Sequence, residues 1–320
     1  MKALKRIGAV VFILIIVTAF TSVNAAEKKK VLFIDSYHEG YAWSDGITKG
    51  VSQTLGSTVE LKVFRMDTKR NNSEEFKVKA GEDAKALIEG WKPDVVIAAD
   101  DNASKYIIQP FFSGKDIPFV FCGLNWDSSI YGFSKKNVCG MEEVALIEPL
   151  LDQMKKFGKG DKFGVIAPDN ETVRKEKENI EKKFNLTMTA IYAKTYDEWK
   201  EGYKKLQETN DFIIIESDGG LYQDKADDMK KFVLENTSKP TGSCYDFMAP
   251  YALITYSKIA EEQGEWAAAA ALRILEGESP EKIGITQNKK GKLYVNLPLA
   301  TKLGIKIPLT MLKSAEVIKN

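Results

Sequence analysis

Apolar residues along this chain gather in short unbroken runs, and each run closes on a polar cluster. Val31–Ile34 ends in Asp35, Ser36 and Tyr37. Val95–Ala99 ends in Asp100, Asp101 and Asn102, and Phe119–Cys122 ends in Gly123, Asn125 and Trp126. A second set follows, with Phe163–Ala167 ending in Pro168, Asp169 and Asn170, and Phe212–Ile215 ending in Glu216, Ser217 and Asp218. Runs of this kind are what parallel strands covered on both faces look like. In open α/β sheets a ligand sits just beyond the carboxyl ends of the strands. The polar clusters are therefore the expected place for a small molecule.

Strand starts recur near residues 31, 60, 94 and 117, then near 163, 187, 211 and 240. Helical periodicity fills the intervals: Trp43 to Leu55, Ser73 to Glu89, Val144 to Phe157, Glu171 to Phe184, Tyr196 to Glu208 and Leu221 to Asn236. Such alternation is the signature of βαβ units and a parallel sheet. Trp126 to Gly140 shows no strong period and separates the two sets. Beyond them, Ser257 to Glu276 reads as an alanine-rich helix closed by Gly277, and Leu293–Asn296 as a last strand. A chain that returns in this way joins two lobes by several crossings. The expected division is a first lobe over 28–139 plus about 250–296, a second over 140–249, and a tail from 297 to 320 of unassigned lobe.

The amino terminus changes where this happens. Lys2, Lys5 and Arg6 precede an uncharged apolar stretch from Ile7 to Phe20, and Val23-Asn24-Ala25 places small residues at a cleavage site. The stretch is short for a membrane span, which needs about 20 residues. The reading is a signal peptide removed after about Ala25 and a mature protein in the periplasm. The whole chain has 46 Lys and Arg against 45 Asp and Glu; losing three basic residues with the signal leaves a balance with no footprint for nucleic acid. Three cysteines, Cys122, Cys139 and Cys244, are too few for a disulfide scaffold and read as small buried thiols, Cys122–Cys139 being the pair to test for a bridge.

Chemistry is limited mainly by what is missing. One histidine, His38, excludes a multi-histidine metal site, and phosphate-loop, dinucleotide-binding and nucleophile-elbow motifs are absent. No cofactor or metal is expected. An exported hydrolase would have to use His38 or a carboxylate pair, as glycosidases do. Within Asp100-Asp101-Asn102, one residue is expected to cap the following helix and another to face the ligand. Tyr37 and Trp126 stand where they could stack on an apolar body, while Trp43 fits ordinary packing. On the far side, Asp169, Ser217, Asp218, Tyr245 and Asp246 follow strands, with Gly219-Gly220 allowing close backbone approach. Counting Asp35, Asp100, Asp101, Asp169, Asp218 and Asp246, the cleft edge is acidic, which suits an ammonium or several hydroxyls better than an anion.

Three stretches carry a resemblance. Ser36-Tyr37-His38-Glu39-Gly40-Tyr41 with Trp43–Ile47 and Gly50-Val51 opens the chain. Asn137-Val138-Cys139-Gly140-Met141 followed by Ile147-Glu148-Pro149 lies in the middle. Tyr294–Leu297, Ala300–Ile305 and Ile307-Pro308 with Leu312 lie at the end. In this order they resemble the ABC-transporter substrate-binding protein family with the type I periplasmic-binding fold, the group that includes tryptophan/tyrosine-type binding proteins. Cys139 stands where the family has threonine, and the first strand is closer to the sensing domains of some membrane histidine kinases. The resemblance implies an α/β fold of two lobes, each a parallel sheet flanked by helices, with the ligand cleft between them. It also implies no catalysis, capture of a small organic ligand by lobe closure, and delivery to an ABC permease of the inner membrane, a sensor kinase being the alternative partner. The residues expected at the ligand are Ser36, Tyr37, Asp100, Asp101, Asn102, Gly123, Asn125, Trp126, Asp169, Ser217, Asp218, Tyr245 and Asp246.

Overall fold

The computed structural model describes residues 28–217, 221 and 223–319. The expected signal peptide, Asp218 and Gly219-Gly220 lie outside the described residues. Fully apolar runs become central strands. β1 (Lys30–Asp35), β3 (Val95–Ala99), β4 (Phe119–Asn125) and β5 (Val138–Glu143) form one sheet with β2 (Glu60–Arg65) at its edge. β6 (Phe163–Pro168), β7 (Met188–Ala193), β8 (Phe212–Ile215), β9 (Thr241–Ser243) and β10 (Ile254–Lys258) form the second. β2 is only partly buried, as an edge strand with one solvated face should be.

Helices cover both faces. α1 (Ala42–Leu55) and α2 (Glu74–Trp91) follow β1 and β2. A short α3 (Asp100–Ala103) runs on as a π-helix through Ser104–Phe112. α4 (Ile147–Met154), α5 (Glu171–Phe184), α6 (Tyr196–Thr209) and α7 (Ala226–Asn236) serve the second sheet. Their starts follow capping chemistry: Ser73, Asn170 and Thr195 each accept a hydrogen bond from a first-turn N–H. Apolar clusters fill both sides of each sheet and cover the central strands on both faces.

After β10 the chain returns to the first sheet as α8 (Ala260–Leu275), α9 (Pro280–Ile283) and β11 (Ile285–Gln287), which pairs with β5. It crosses again to β12 (Gly291–Asn296), antiparallel to β10. α10 (Leu297–Lys302) and α11 (Leu309–Ser314) lead to β13 (Glu316–Ile318), which pairs with β12. The sheets are ordered β11-β5-β4-β3-β1-β2 and β13-β12-β10-β9-β8-β6-β7. The return segment expected over about 250–296 therefore divides between the sheets: α8 to β11 lies with the first, while β10 and β12 pair in the second. β5 likewise places residues 140–143 with the first sheet, and Ser257 lies within β10 instead of opening the helix. α8 packs on α1 so closely that a Cβ on Gly264 would lie 2.1 Å from Ile47 O. All three cysteines are buried free thiols.

Candidate functional site

A cavity of about 750 Å³ opens where strand ends of the two sheets face each other. The first sheet lines it with Tyr37, Asp100, Asn125 and Glu143, and α1 adds Trp43. The second lines it with Tyr245, Asp246, Phe247, Ser257, Lys258 and Tyr294. Apolar rings with a few fixed polar groups are the usual composition of a small-molecule pocket.

Asp100 is the most constrained of these residues. It adopts φ +69°, a left-handed conformation that is uncommon for a residue with a Cβ. Trp43 Nε1 donates to its Oδ1 at 3.0 Å, whereas Oδ2 accepts no hydrogen bond from the described residues. Burial, with Glu143 and Asp35 nearby, pushes its carboxyl well above the usual carboxylate range. The same surroundings push the Tyr37 phenol up: burial first, then Asp100, Asp101 and Glu143. Gly123 meets this group from below. Its φ is +66°, and a Cβ there would lie 3.0 Å from Asp100 Oδ1, so glycine is needed for close approach.

Several expected ligand contacts prove to be supports. Ser36 Oγ donates to Ala99 O at 2.5 Å and accepts from Ala103 N at 2.9 Å. It thus caps α3 from the neighbouring strand, in place of the cap expected from Asp100, Asp101 or Asn102. Asn102 Nδ2 donates to Thr68 Oγ1 at 2.8 Å. Asp101 accepts from Asn125 Nδ2 at 2.6 Å and from Tyr131 OH at 2.9 Å, which ties the β3 and β4 ends together. Asp35, counted above as cleft edge, is fully buried and held by Ser44 Oγ and Arg65. Asp169 accepts from Arg174, away from the cavity lining. Ser217 is half-buried beside Glu216 and is not a lining residue.

Trp126 also departs from the stacking role. It does not line the cavity. At φ +62° it turns toward the other lobe, where its Nε1 donates to Glu176 Oε2 of α5 at 2.7 Å. A second link joins Glu143, at the end of β5, to Lys258, at the end of β10, in an ion pair. Burial works against the Lys258 ammonium, but contact with Glu143 raises it above its ordinary range. Glu216 lies behind Tyr245. Burial and the nearby Glu176 push it up to about 7, against the hydrogen bond from Tyr245.

Sequence reasoning thus missed Trp43, Glu143 and Lys258 at the cavity and Glu176 and Glu216 close to it. Glu143 sat next to a segment without clear period, and Lys258 inside an expected helix. Only the polar end of the Phe212–Ile215 run pointed at Glu216. His38, the residue a hydrolase would need, is outside the lining, with Nδ1 2.9 Å from Glu39 O. Among the described residues no group of three or more His, Cys, Asp or Glu could hold a metal ion, and no helix is long and apolar enough to cross a membrane.

The ABC transporter substrate binding protein family model matches residues 38–319. No curated protein sequence matches the chain. Among solved structures, the chain is similar to CD0873, a substrate binding protein with adhesive properties from Clostridium difficile, in its ligand-free, open form. The identity is 19%, with 91% of this chain and 99% of that one covered at a TM-score of 0.69. It is also similar to an ABC domain in complex with L-Trp from Streptococcus pneumoniae, at 17% identity, 91% and 100% coverage and a TM-score of 0.58. A periplasmic ribose ABC transporter protein from Conexibacter woesei matches at 15% identity, 88% and 96% coverage and a TM-score of 0.55. The fold is that of type I periplasmic-binding proteins, two lobes around a cleft.

Proposed function

The chain belongs to the ABC transporter substrate-binding protein family, and from that premise we propose that it captures a small organic solute in the inter-lobe cavity and hands it to an ABC permease. The observation that carries this reading is the cavity itself, about 750 Å³ bounded by strand ends of both sheets. Its bounding strands, β5 and β10, are also those after which the chain crosses between lobes. A change of angle at the crossings would move Tyr37, Trp43 and Asp100 against Tyr245 and Phe247, the geometry of hinge closure around a ligand. The six aromatic rings of the lining, among them Tyr37, Trp43 and Tyr245, suit a ligand with a flat or apolar body. The protein acts in the periplasm, after loss of the amino-terminal signal. No bond is made or broken, so no residue is catalytic.

The experiment is a thermal-unfolding screen of the mature protein against a solute library, with chromogenic ester and glycoside substrates assayed alongside. A ligand that binds only the folded state stabilises it by about 2.7 kcal/mol at a hundredfold excess over Kd. Stabilisation by a solute that is recovered unchanged is the expected result. Turnover abolished by His38→Ala would instead establish a hydrolase.

A further inference from the structure

Two carboxylates that line the cleft, Asp100 and Glu143, have two more, Glu176 and Glu216, close by, and Lys258 is the ammonium paired among them. Asp100 and Glu143 come from the first lobe, Glu176 and Glu216 from the second, and Lys258 is paired to Glu143. Trp126 serves Glu176, and Tyr245 serves Glu216. Asp100 Oδ2 and Glu216 Oε2 accept nothing from the described residues, although the two residues are only 2% and 6% exposed. A buried, unpartnered carboxylate oxygen is unfavourable and calls for a donor. Asp100 is the one of the two that lines the cavity, with Trp43 holding its other oxygen.

The rings around it already hold cations. Lys258 Nζ lies 5.5 Å from the centroid of Trp43, and Lys69 Nζ lies 5.2 and 4.9 Å from those of Tyr37 and Tyr41. Aromatic faces attract ammonium groups most where water is excluded. Two of the lysines lining the cleft are already paired with carboxylates, Lys258 with Glu143 and Lys292 with Glu316, while Lys69 lies against the rings of Tyr37 and Tyr41.

Resting on the solute-binding reading above, we infer that the ligand carries a protonated amine and no carboxylate, the amine docking on Asp100 Oδ2 between Trp43 and Tyr37. The ammonium replaces the proton that burial and acidic neighbours otherwise favour on Asp100. An amine is the whole of the commitment; the body of the ligand is set by the remaining rings.

The test is a matched panel at millimolar concentration, read by thermal unfolding and calorimetry on the mature protein. Tyramine, phenethylamine and putrescine are set against 4-hydroxyphenylacetate, phenylacetate and 1,4-butanediol, with tyrosine as the zwitterion. At least one amine stabilises the protein while its carboxylate or alcohol counterpart does not. Asp100→Asn weakens that amine tenfold or more without lowering the melting temperature of the empty protein, because asparagine keeps the oxygen that Trp43 Nε1 donates to and loses only the oxygen that can carry a charge. Tighter binding of tyrosine than tyramine, equal amine affinity in Asp100→Asn, or no response to any amine overturns the inference. A response to the carboxylates or the diol alone overturns it too, but leaves solute binding standing. Turnover in the preceding screen is the separate failure of the binding reading.

Discussion

Asp35 and Glu216 are both buried carboxylates, and their partners give them opposite consequences. Asp35 is held by Tyr37 N, Ser44 Oγ and the Arg65 guanidinium. Removing one partner of such a pair leaves an uncompensated charge, so Arg65→Met should lower stability by about 3–5 kcal/mol in urea unfolding. A loss under about 1 kcal/mol would contradict the pairing. Glu216 is pushed from 4.5 up to about 7 by burial and Glu176. The folded state therefore holds this proton more tightly than the unfolded chain. The stabilisation is complete below about pH 4.5 and is lost as pH rises through about 7. Glu216→Gln, which cannot ionise, should gain about 3 kcal/mol relative to the parent between pH 5 and 8, at about 1.4 kcal/mol per unit. Parallel stability profiles for the two proteins would contradict it. Residue roles were the least legible level of the sequence. Asp100-Asp101-Asn102 reads as a cap, yet the cap comes from Ser36, a contact made only when β1 and β3 lie side by side. Trp43 looks like packing until Asp100 is placed beside its Nε1.

Elements were legible where burial was uniform. β1, β3, β6 and β8 are continuous apolar runs because helices cover both faces, and the pattern needs nothing else to be seen. β5 and β10 were not recognised as strands. Their sequences, VCGMEE and ITYSK, carry the charges that meet at the cleft, so the ion pair interrupts the apolar run. The α1–α8 contact is an element-scale property of two glycines. A Cβ on Gly50 would lie 2.4 Å from Glu261 O, and one on Gly264 would lie 2.1 Å from Ile47 O. Gly264→Ala must push backbone from backbone, and overpacking of this kind costs about 1–3 kcal/mol. Because α8 also packs on β3, β4 and β5, the shift should reach the cleft and weaken ligand binding as well. A variant as stable as the parent would show that the helices slide freely, against this account.

At the scale of the whole molecule, polar contacts join the lobes beyond the crossing strands, among them Trp126 to Glu176 and Glu143 to Lys258. A hydrogen bond to a charged group contributes about 1.5–3 kcal/mol, enough to shift a two-state lobe equilibrium by a factor of about ten or more. Trp126→Phe keeps the ring and removes the donor. It should increase the radius of gyration of the unliganded protein in small-angle scattering and reduce ligand affinity, whereas an unchanged radius would assign Trp126 to packing alone. The two-lobed plan was visible in strand–helix alternation and in the returning chain, but the division of strands in that return was not. β10 and β12 joined the second sheet through pairing that no local pattern encodes. The central claim is that the cleft holds a small solute without transforming it. Native mass spectrometry of the mature protein, purified from its producing cells without denaturant, tests this most directly. The account predicts a stoichiometric small-molecule adduct that survives intact and is lost in Asp100→Asn. A bare protein mass, unchanged after incubation with a metabolite extract of the same cells, would contradict it.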